Sequence, residues 1–249
     1  MKALITGASS GIGRDMAIVL SEMGCELILA ARREDRLNEL KEQLPTVAEV
    51  IAVDLSKREG CFALYERVKD CDIDILINNA GFGVFGEFAE TELDSELEML
   101  DTNVAAVHIL TKLFVGDFKR KNSGYILNVA SSAGFLPGPL MAAYYAGKGY
   151  VLRLTQAVSE ELKKSGSAVY IGALCPGPVG TEFEERAKVS FSVKALSSRA
   201  VAEYAVRMMF RRKTVIVPGL IMKCSRILSK ILPDKILLLA AYNIQHSKK

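Results

Sequence analysis

The feature that most constrains this chain is the glycine-rich stretch TGASSGIG at residues 6–13. It lies between a short apolar run at residues 3–5 and an apolar pattern of helical spacing that starts at Ile12, which predicts a turn from a first strand into a first helix. Glycine gives such a turn freedom in φ and lets the helix approach both the strand and a ligand closely. The helix N-terminus then presents unpaired N–H groups to an anion. A lone glycine triplet is equally compatible with an ordinary tight turn. The neighbouring motifs are therefore needed to distinguish an anion-binding turn from an ordinary one.

Strand and helix patterns alternate along the rest of the chain. Further strands are predicted at residues 26–31, 50–53, 73–77, 124–129, 168–174 and 214–217, and helices include residues 61–68, 93–118 and 142–162. This alternation predicts an α/β protein, a single-domain Rossmann fold over residues 1–249, with a doubly wound parallel sheet of about seven strands and helices on both faces. Ligands of such sheets lie at the carboxyl ends of the strands.

Composition excludes several classes of protein. Half of the 249 residues are hydrophobic and 24% are charged, which is typical of a globular domain with a large core. The five cysteines are scattered without CxxC spacing and there are two histidines, so no disulfide framework and no metal site are predicted. A net charge of +3 is too small to indicate nucleic-acid binding. A first strand at residue 2 or 3 leaves no room for a signal peptide, and we expect a cytoplasmic protein.

The residues after the second strand indicate which dinucleotide the turn would bind. An acid is typical of NAD-binding turns at this place, roughly 20 residues past the glycines. Here the place holds Arg32 and Arg33. Guanidinium groups suit a 2′-phosphate, so the sequence favours NADP(H), with Arg14 adding to the positive field. The alternative is that both arginines only start a surface helix. Asp54 follows the third strand, where it would meet the adenine or simply cap a helix.

Tyr144 and Lys148 lie four residues apart on a predicted helix, so their side chains share one face. A tyrosine has a pKa of about 10, and a neighbouring ammonium would favour its phenolate and bring the group towards working pH. Taken alone, such a pair is usually a surface feature. Its meaning depends on the motifs around it.

Six motifs occur together in one order. They are TGASSGIG, NNAG at 78–81, Asn103, the serine of NVASSAG, YYAGK at 144–148 and CPGPVGT at 175–181. This series resembles the short-chain dehydrogenase/reductase family, in its type with TGxxxGxG and YxxxK motifs, over about residues 2–183. The resemblance implies a catalytic tetrad of Asn103, Ser131, Tyr144 and Lys148, with Ser132 as an alternative to Ser131.

The resemblance also implies a role for each residue. Tyr144 would donate the proton, Ser131 would hold the carbonyl oxygen, Lys148 would lower the tyrosine pKa and bind the nicotinamide ribose, and Asn103 would hold a water that relays protons. No metal is required. The implied cofactor-binding residues are Gly7, Ser9, Ser10, Gly11, Ile12, Gly13, Arg32, Arg33, Asp54, Leu55, Asn79, Ala80, Gly81, Tyr144, Lys148, Pro176, Gly177, Val179 and Thr181.

Residues 182–197 follow the last motif, are charged and lack firm periodicity, which predicts a lid over the substrate. The alternative is a plain connecting loop. Phe183 and Phe191 weakly indicate an apolar substrate, as do four apolar residues that could equally belong to the core: Phe82, Phe85, Phe135 and Leu136.

The C-terminal end has a different character. Residues 207–249 contain ten Lys or Arg and one acid. Residues 219–249 are predicted to form a basic amphipathic helical extension, whose apolar runs are too short for the roughly 20 residues that span a bilayer. Three alternatives remain: the helices pack on the body or a second subunit and cover the cleft, residues 219–245 lie on an anionic membrane, or they dock an acidic substrate carrier.

Two classes of function are compatible with these features. The first is an NADP(H)-dependent oxidoreductase acting on the carbonyl or alcohol group of a small, apolar ketone, alcohol or 3-oxoacyl substrate. The second is a non-catalytic dinucleotide-binding redox sensor, which would have no use for a poised phenol. Sugar epimerisation or dehydration is disfavoured because the chain lacks an extra substrate domain. The resemblance also implies a homodimer or homotetramer.

Overall fold

The structure, a computed structural model, describes residues 1–183 and 195–246. Its strands are β1 Lys2–Thr6, β2 Glu26–Ala31, β3 Ala48–Ala52, β4 Ile75–Asn78, β5 Tyr125–Val129, β6 Tyr170–Leu174, β7 Val179–Gly180, β8 Leu196–Ser197 and β9 Val215–Ile216. Its α-helices are α1 Gly11–Glu22, α2 Glu34–Glu42, α3 Arg58–Val68, α4 Leu93–Leu100, α5 Ala106–Arg120, α6 Ala142–Lys164, α7 Ser198–Phe210, α8 Leu220–Leu228 and α9 Asp234–His246.

Seven strands form one parallel sheet in the order β3-β2-β1-β4-β5-β6-β9. The predicted α/β fold is confirmed, with its doubly wound parallel sheet and helices on both faces. The strand order reverses between β1 and β4, so the connections from these two strands leave towards opposite faces. A crevice opens at their carboxyl ends, where ligands of such sheets lie.

The core consists of two layers, one on each face of the sheet. Adjacent residues of β1 point to opposite faces, so that Leu4 packs in one layer and Ile5 in the other, both fully buried. The Ile5 layer is closed by α1 and α7, and the Leu4 layer by α3 and α5, including Phe114 and Phe118. Burial on both faces explains why the strands are continuous apolar runs.

Local deviations from the predicted elements lie close to the strand ends. The predicted helix 93–118 is divided by one π-helical segment, Asp101–Ala105, between α4 and α5. A 3₁₀ turn, Ser132–Phe135, and the two-residue pairing of β7 with β8 were not predicted. Asp72, with φ of 50°, turns the chain before β4, which begins at Ile75 rather than at residue 73.

The two C-terminal segments singled out in the sequence are partly described. Within the predicted lid 182–197, residues 184–194 lie outside the described residues. At the two ends of this segment, β7 pairs in parallel with β8. Residues 219–249 contain the predicted helices, as α8 and α9, with residues 247–249 outside the description. Among the helices described in residues 1–183 and 195–246, none combines the length and apolar character that crossing a bilayer requires.

A buried polar network ties α5 and α6 to the middle of the sheet. Asn78 Nδ2 on β4 donates to Asn128 Oδ1 on β5 at 2.9 Å, and Thr111 Oγ1 on α5 donates to the same oxygen at 3.2 Å. Asn128 Nδ2 in turn donates to Thr155 Oγ1 on α6 at 3.0 Å. All four side chains are buried, so each needs a protein partner, and the network fixes α6 relative to the strand ends.

We predict that Asn128→Ala lowers the free energy of unfolding by about 3 kcal/mol, because it leaves Asn78, Thr111 and Thr155 without their shared buried partner. Urea denaturation followed by circular dichroism measures the change. Asn38→Ala, at an exposed position of α2, is the matched control and should change stability by less than about 1 kcal/mol. Equal effects of the two substitutions would contradict the structural role of the network.

Candidate active site

The glycine-rich turn is held against the neighbouring strand by Asn79. The Asn79 Nδ2 donates to the carbonyl oxygens of Thr6 and Gly7, both at 3.1 Å, and the Asn79 N–H donates to Thr6 Oγ1 at 3.0 Å. Gly7 and Gly11 have φ of 65° and 55°, a region that favours glycine. A Cβ on Gly13 would lie 2.2 Å from Asn79 Nδ2, so this glycine allows the close approach of α1 to the strand ends.

An anion site is formed where α1 begins. The hydroxyl of Ser10, at the N-cap, accepts a hydrogen bond from Arg33 Nη2 at 3.1 Å, and Ser9 Oγ lies 3.3 Å from the same nitrogen. Arg33 also contacts Glu182 Oε2 at 2.8 Å. A guanidinium, two hydroxyls and a helix N-terminus therefore converge at one end of the crevice, where a phosphate group would find donors.

The other charged candidates have partners of their own. Arg32 Nη1 contacts Glu98 Oε1 on α4 at 2.7 Å, and exposed Arg14 donates to Gln43 at 3.4 Å, away from the crevice. Arg36, which the sequence analysis did not single out, contacts the second oxygen of Glu182. Arg33 is thus better placed than Arg32 to meet a ligand next to the glycine turn.

Asp54 forms a local turn at the end of β3. Its Oδ1 accepts from the N–H of Ser56 at 3.0 Å and from the Ser56 hydroxyl at 2.9 Å. Burial alone would raise the pKa of Asp54, but these hydrogen bonds and the Arg32 charge together lower it. The carboxylate is therefore ionised at neutral pH and faces the crevice beside Leu55.

One cavity of about 1010 Å³ connects the glycine turn to the Tyr144 face of α6. This volume is at the upper end of the range typical of ligand sites. Its walls contain most of the residues predicted from the sequence, namely Gly7, Ser9, Ser10, Gly11, Ile12, Arg32, Arg33, Asp54, Leu55, Asn79, Ala80, Gly81, Ser131, Tyr144, Lys148, Pro176, Gly177, Val179 and Thr181. Gly13 and Asn103 lie behind the wall. The composition of the cavity wall suits a dinucleotide. Cations and hydroxyls lie at one end, and a phenol and an amine lie at the other.

Tyr144 and Ser131 meet in this wall. Tyr144 is 9% exposed and lies beside Ser131, whose side chain acts to lower the Tyr144 pKa and accepts a hydrogen bond from the N–H of Ala133 at 3.1 Å. Ser132 instead donates its backbone N–H to Pro176 at 2.8 Å. The structure thus places the side chain of Ser131, rather than that of Ser132, beside the Tyr144 hydroxyl.

Lys148 lies one helical turn after Tyr144 and is almost fully buried. Its Nζ is 5.8 Å from the centre of the Tyr144 ring and donates to the carbonyl oxygen of Val129, at the end of β5, at 2.9 Å. Burial raises the pKa of Tyr144 well above its usual range, although Ser131 opposes this, and burial lowers the pKa of Lys148 to about 8. Burial is the largest cause of the shift in the Tyr144 pKa, followed by Ser131 and Tyr145, so the lowering of this pKa by Lys148 stays a prediction.

Asn103 lies behind the cavity wall, in the π-helical segment. Its Oδ1 accepts from the N–H of Phe82 at 3.0 Å and its Nδ2 donates to the Phe82 carbonyl at 2.7 Å. A Cβ on Gly81 would lie 2.6 Å from Asn103 Oδ1 and 3.4 Å from Lys148 Nζ. The structure therefore places Asn103 next to Lys148 and gives it a direct role in fixing the backbone that follows the NNAG motif.

The loop after β6 closes over the glycine turn. Thr181 packs its methyl group on Gly11, where an added Cβ would lie 2.9 Å from Thr181 Cγ2, and its hydroxyl accepts from the N–H of Phe183 at 3.3 Å. A Cβ on Gly177 would lie 2.7 Å from Met222 Cγ on α8. This loop thereby joins the glycine turn to the C-terminal helices.

The surroundings of Tyr144 are apolar. The Phe183 ring centre lies 5.4 Å from that of Tyr144, and Phe82 and Phe85 belong to the same cluster. Leu136 lines the cavity, Phe135 packs in the core beside it, and Phe191 lies outside the described residues. Among the described residues, no group of three or more His, Cys, Asp or Glu could hold a metal ion.

The sequence analysis missed part of the cavity wall. Met141 and Tyr145 flank Tyr144, and a larger set comes from the C-terminal helices: Leu220, Ile221, Met222, Cys224, Ser225, Leu228, Leu232, Leu237, Ala240 and Ala241. The neighbours of Tyr144 could have been found from their position beside the YxxxK motif. The C-terminal residues carry only a helical apolar pattern, which does not tell what the helix covers.

Comparisons with known proteins agree with this geometry. An uncharacterized oxidoreductase from Staphylococcus epidermidis is 33% identical over 195 residues, which are 75% of this chain and 84% of that protein. A short-chain dehydrogenase from Sphingobium yanoikuyae, solved in complex with NADPH, is 29% identical with a TM-score of 0.82, over 93% of this chain and 96% of that one.

A short-chain dehydrogenase/reductase from Burkholderia phymatum, solved in complex with NAD, is 25% identical with a TM-score of 0.83, over 91% of this chain and 92% of that one. The family model described as short chain dehydrogenase matches residues 1–189, which contain the glycine turn, Ser131 and the Tyr144–Lys148 pair. The chain therefore belongs to the short-chain dehydrogenase/reductase family.

Proposed function

We propose that this chain is an NADP(H)-dependent oxidoreductase that transfers a hydride between nicotinamide and the carbonyl or alcohol group of a small apolar substrate, such as a ketone or a 3-oxoacyl group. One observation carries the proposal. The side chains of Tyr144 and Ser131 lie next to each other in the wall of the cavity that starts at the glycine turn, close enough for Ser131 to lower the pKa of the Tyr144 phenol. Two hydroxyls in this arrangement can hold and protonate one oxygen atom of a substrate.

In the direction of reduction, a reduced nicotinamide held by the residues around the glycine turn would supply the hydride that the carbonyl carbon accepts. Ser131 donates a hydrogen bond to the carbonyl oxygen and orients it. Tyr144 transfers its proton to that oxygen as negative charge develops there, which completes the alcohol. Because burial keeps the phenol protonated in the free protein, Tyr144 is ready to act as an acid before the substrate arrives.

Lys148 and Asn103 act behind the phenol. Lys148, with a pKa of about 8, can exchange a proton close to neutral pH, and the positive charge it carries when protonated favours the phenolate that Tyr144 becomes. Asn103 is proposed to hold a water that returns protons from solvent, and its bonds to Phe82 fix its position. The apolar cluster of Phe82, Phe183 and their neighbours excludes water from the reacting oxygen and suits an apolar substrate.

The preference for NADP(H) rests on Arg33. Its guanidinium contacts the hydroxyls of Ser9 and Ser10 and the carboxylate of Glu182, and this arrangement supports the binding of an anionic group of a ligand at the same place. A 2′-phosphate would take the place of this carboxylate and gain the same donors. The relative from Sphingobium yanoikuyae was solved with NADPH and that from Burkholderia phymatum with NAD, so the preference needs a direct test.

The first prediction concerns catalysis. Tyr144→Phe should lower kcat/KM for NADPH-dependent ketone reduction by a factor of about a hundred to ten thousand, because it removes the proton donor. Absorbance at the NADPH band, over a panel of ketones, measures the rate. Tyr150→Phe, on the exposed side of the same helix, is the matched control and should retain activity. Equal, measurable rates in wild type and Tyr144→Phe would contradict the role of Tyr144 as proton donor, and the absence of reduction by wild type over the whole panel would favour the redox sensor.

The second prediction concerns the cofactor. Arg33→Ala should raise KM for NADPH by about tenfold to a hundredfold with little change for NADH, because it removes charge-assisted hydrogen bonds to the 2′-phosphate. Arg32→Ala should have the smaller effect, since its guanidinium is shared with Glu98. Arg67→Ala, in a distant surface ion pair, is the control. An unchanged ratio of the two KM values in Arg33→Ala would rule out phosphate recognition by this residue.

The third prediction concerns the proton of Lys148. The unfolded chain keeps this lysine protonated up to about pH 10.5, whereas the folded protein loses the proton above about 8, so folding releases a proton between these values and stability rises with pH. Lys148→Met should lack this rise, and the stability of wild type relative to the variant should increase by roughly 3 kcal/mol across the window. Urea denaturation at several pH values measures it.

The matched control for this titration is Lys164→Met, an exposed lysine on the same helix. Its stability curve should run parallel to that of wild type between pH 8 and 10.5. Parallel curves for wild type and Lys148→Met would instead mean that Lys148 keeps its proton in the folded protein, and that its burial is compensated by other groups.

A further inference from the structure

The C-terminal helical pair, formed by α8 and α9, carries an unusual concentration of exposed apolar side chains. Nine large ones lie within residues 220–242, whereas nine others are spread over all the rest of the described chain. Leu220, Ile221, Ile231 and Leu239 are each more than 60% exposed. The full set is Leu220, Ile221, Ile227, Leu228, Ile231, Ile236, Leu238, Leu239 and Tyr242. A patch of this kind marks an interaction surface.

Within residues 1–183 and 195–246, the body of the protein covers only the inner side of this pair. Leu237 and Ala241 of α9 are buried and line the large cavity, and Met222 of α8 packs on Gly177. The segment at residues 236–242, ILLLAAY, is apolar on every side of its helix. A helix that is apolar all round belongs in an environment that is apolar all round. Contact with the cavity therefore explains the apolar residues on the inner side of the pair. The apolar residues on the outer side require a second apolar partner.

Cations border the exposed apolar side. A second cavity, of about 470 Å³, lies beside α8 and is lined by Lys213, Lys223, Arg226 and Lys230 together with apolar residues such as Ile227 and Ile231. Among the residues that the structure describes, none of these four cations is paired with a carboxylate. A groove with a cationic rim and an apolar wall is complementary to a group that is anionic at its head and apolar behind it.

We propose that the C-terminal helical pair is a docking surface for an anionic lipid bilayer. Ile231 and Leu239 enter the boundary between headgroups and acyl chains, and the Lys213–Lys230 groove receives an anionic headgroup. The helices have nine and thirteen residues, too short to span the bilayer, so the protein lies on its surface. A second copy of the chain fits this surface less well, because a two-fold contact would place its cations against each other.

The position of the cavity gives this docking a functional consequence, which rests on the proposed function. Leu220, Ile221 and Leu228 are exposed to the outside and also line the large cavity. When the pair lies on a bilayer, the apolar end of the cavity opens towards the lipid. An apolar ketone or acyl substrate dissolved in the membrane then reaches Tyr144 without passing through water.

The direct test is co-sedimentation of the full chain with vesicles of phosphatidylcholine mixed with phosphatidylglycerol, and with vesicles of phosphatidylcholine alone. We expect binding to the mixed vesicles that weakens with added salt. The double variant Ile231→Ser/Leu239→Ser should reduce the binding constant at least about tenfold, through the loss of apolar insertion. The double variant Lys213→Gln/Lys230→Gln should reduce it by a similar factor and flatten the salt dependence.

Two matched controls carry equivalent changes elsewhere on the surface. Val47→Ser/Phe62→Ser removes two other exposed apolar side chains, and Lys41→Gln/Lys164→Gln removes two other exposed cations. Both controls should bind the mixed vesicles as wild type does. The proposal is overturned by an absence of vesicle binding, by equal binding to neutral vesicles, or by a loss in the controls equal to that in the test variants. Self-association that depends on Ile231 and Leu239, without vesicle binding, would likewise overturn the proposal. It would identify a second copy of the chain, rather than a bilayer, as the partner of this surface.

A second measurement separates docking from the enzymatic proposal. For a long-chain ketone presented in mixed vesicles, Ile231→Ser/Leu239→Ser should raise KM several-fold, while kcat/KM for a short, water-soluble ketone stays unchanged. Neither residue lines the large cavity. Vesicle binding without reduction of any ketone would reject the proposed function and leave the docking surface in place. Equal effects on both ketones would reject delivery of substrate from the bilayer.

Discussion

The site depends on the contact between Asn79 and the glycine-rich turn. The Asn79 amide spans the carbonyls of Thr6 and Gly7, and Gly13 has no side chain because the amide fills its place. This contact joins the ends of β1 and β4, the two strands between which the sheet reverses its order. The N-terminus of α1 and the strand ends are thereby held at a fixed separation, and the crevice between them forms the end of the cavity where we propose that the cofactor binds.

Burial controls the chemistry at the other end. Lys148 has no carboxylate partner among the residues that the structure describes and is held by the carbonyl of Val129, so its charge is costly and its pKa falls towards neutral. Tyr144 is buried beside it and keeps its proton. Both lie on α6, which the network through Asn128 and Thr155 ties to the middle of the sheet. A buried network of polar side chains thus positions two side chains whose own burial is unfavourable.

The two ends of the cavity have different origins. The match to the family model covers residues 1–189, which supply the glycine turn, the Tyr144 face of α6 and the loop after β6. The remaining wall comes from α8 and α9, beyond that match. The proposed cofactor half is therefore built from what this chain shares with its family. The proposed substrate half is closed by helices whose outer side is apolar and basic, so the proposed substrate site and the proposed docking surface involve the same two helices.

The sequence by itself determined the order of strands and helices, the glycine turn and the shared face of Tyr144 and Lys148, because these follow from local spacing and periodicity. It did not show that α4 and α5 are divided by a π-helical segment that carries Asn103. Only the tertiary structure decided that Arg33 rather than Arg32 meets the turn, that Glu182 occupies its guanidinium, and that the C-terminal helices close the cavity. These are contacts between residues far apart in the chain, and their energies depend on how elements pack, which no local pattern records.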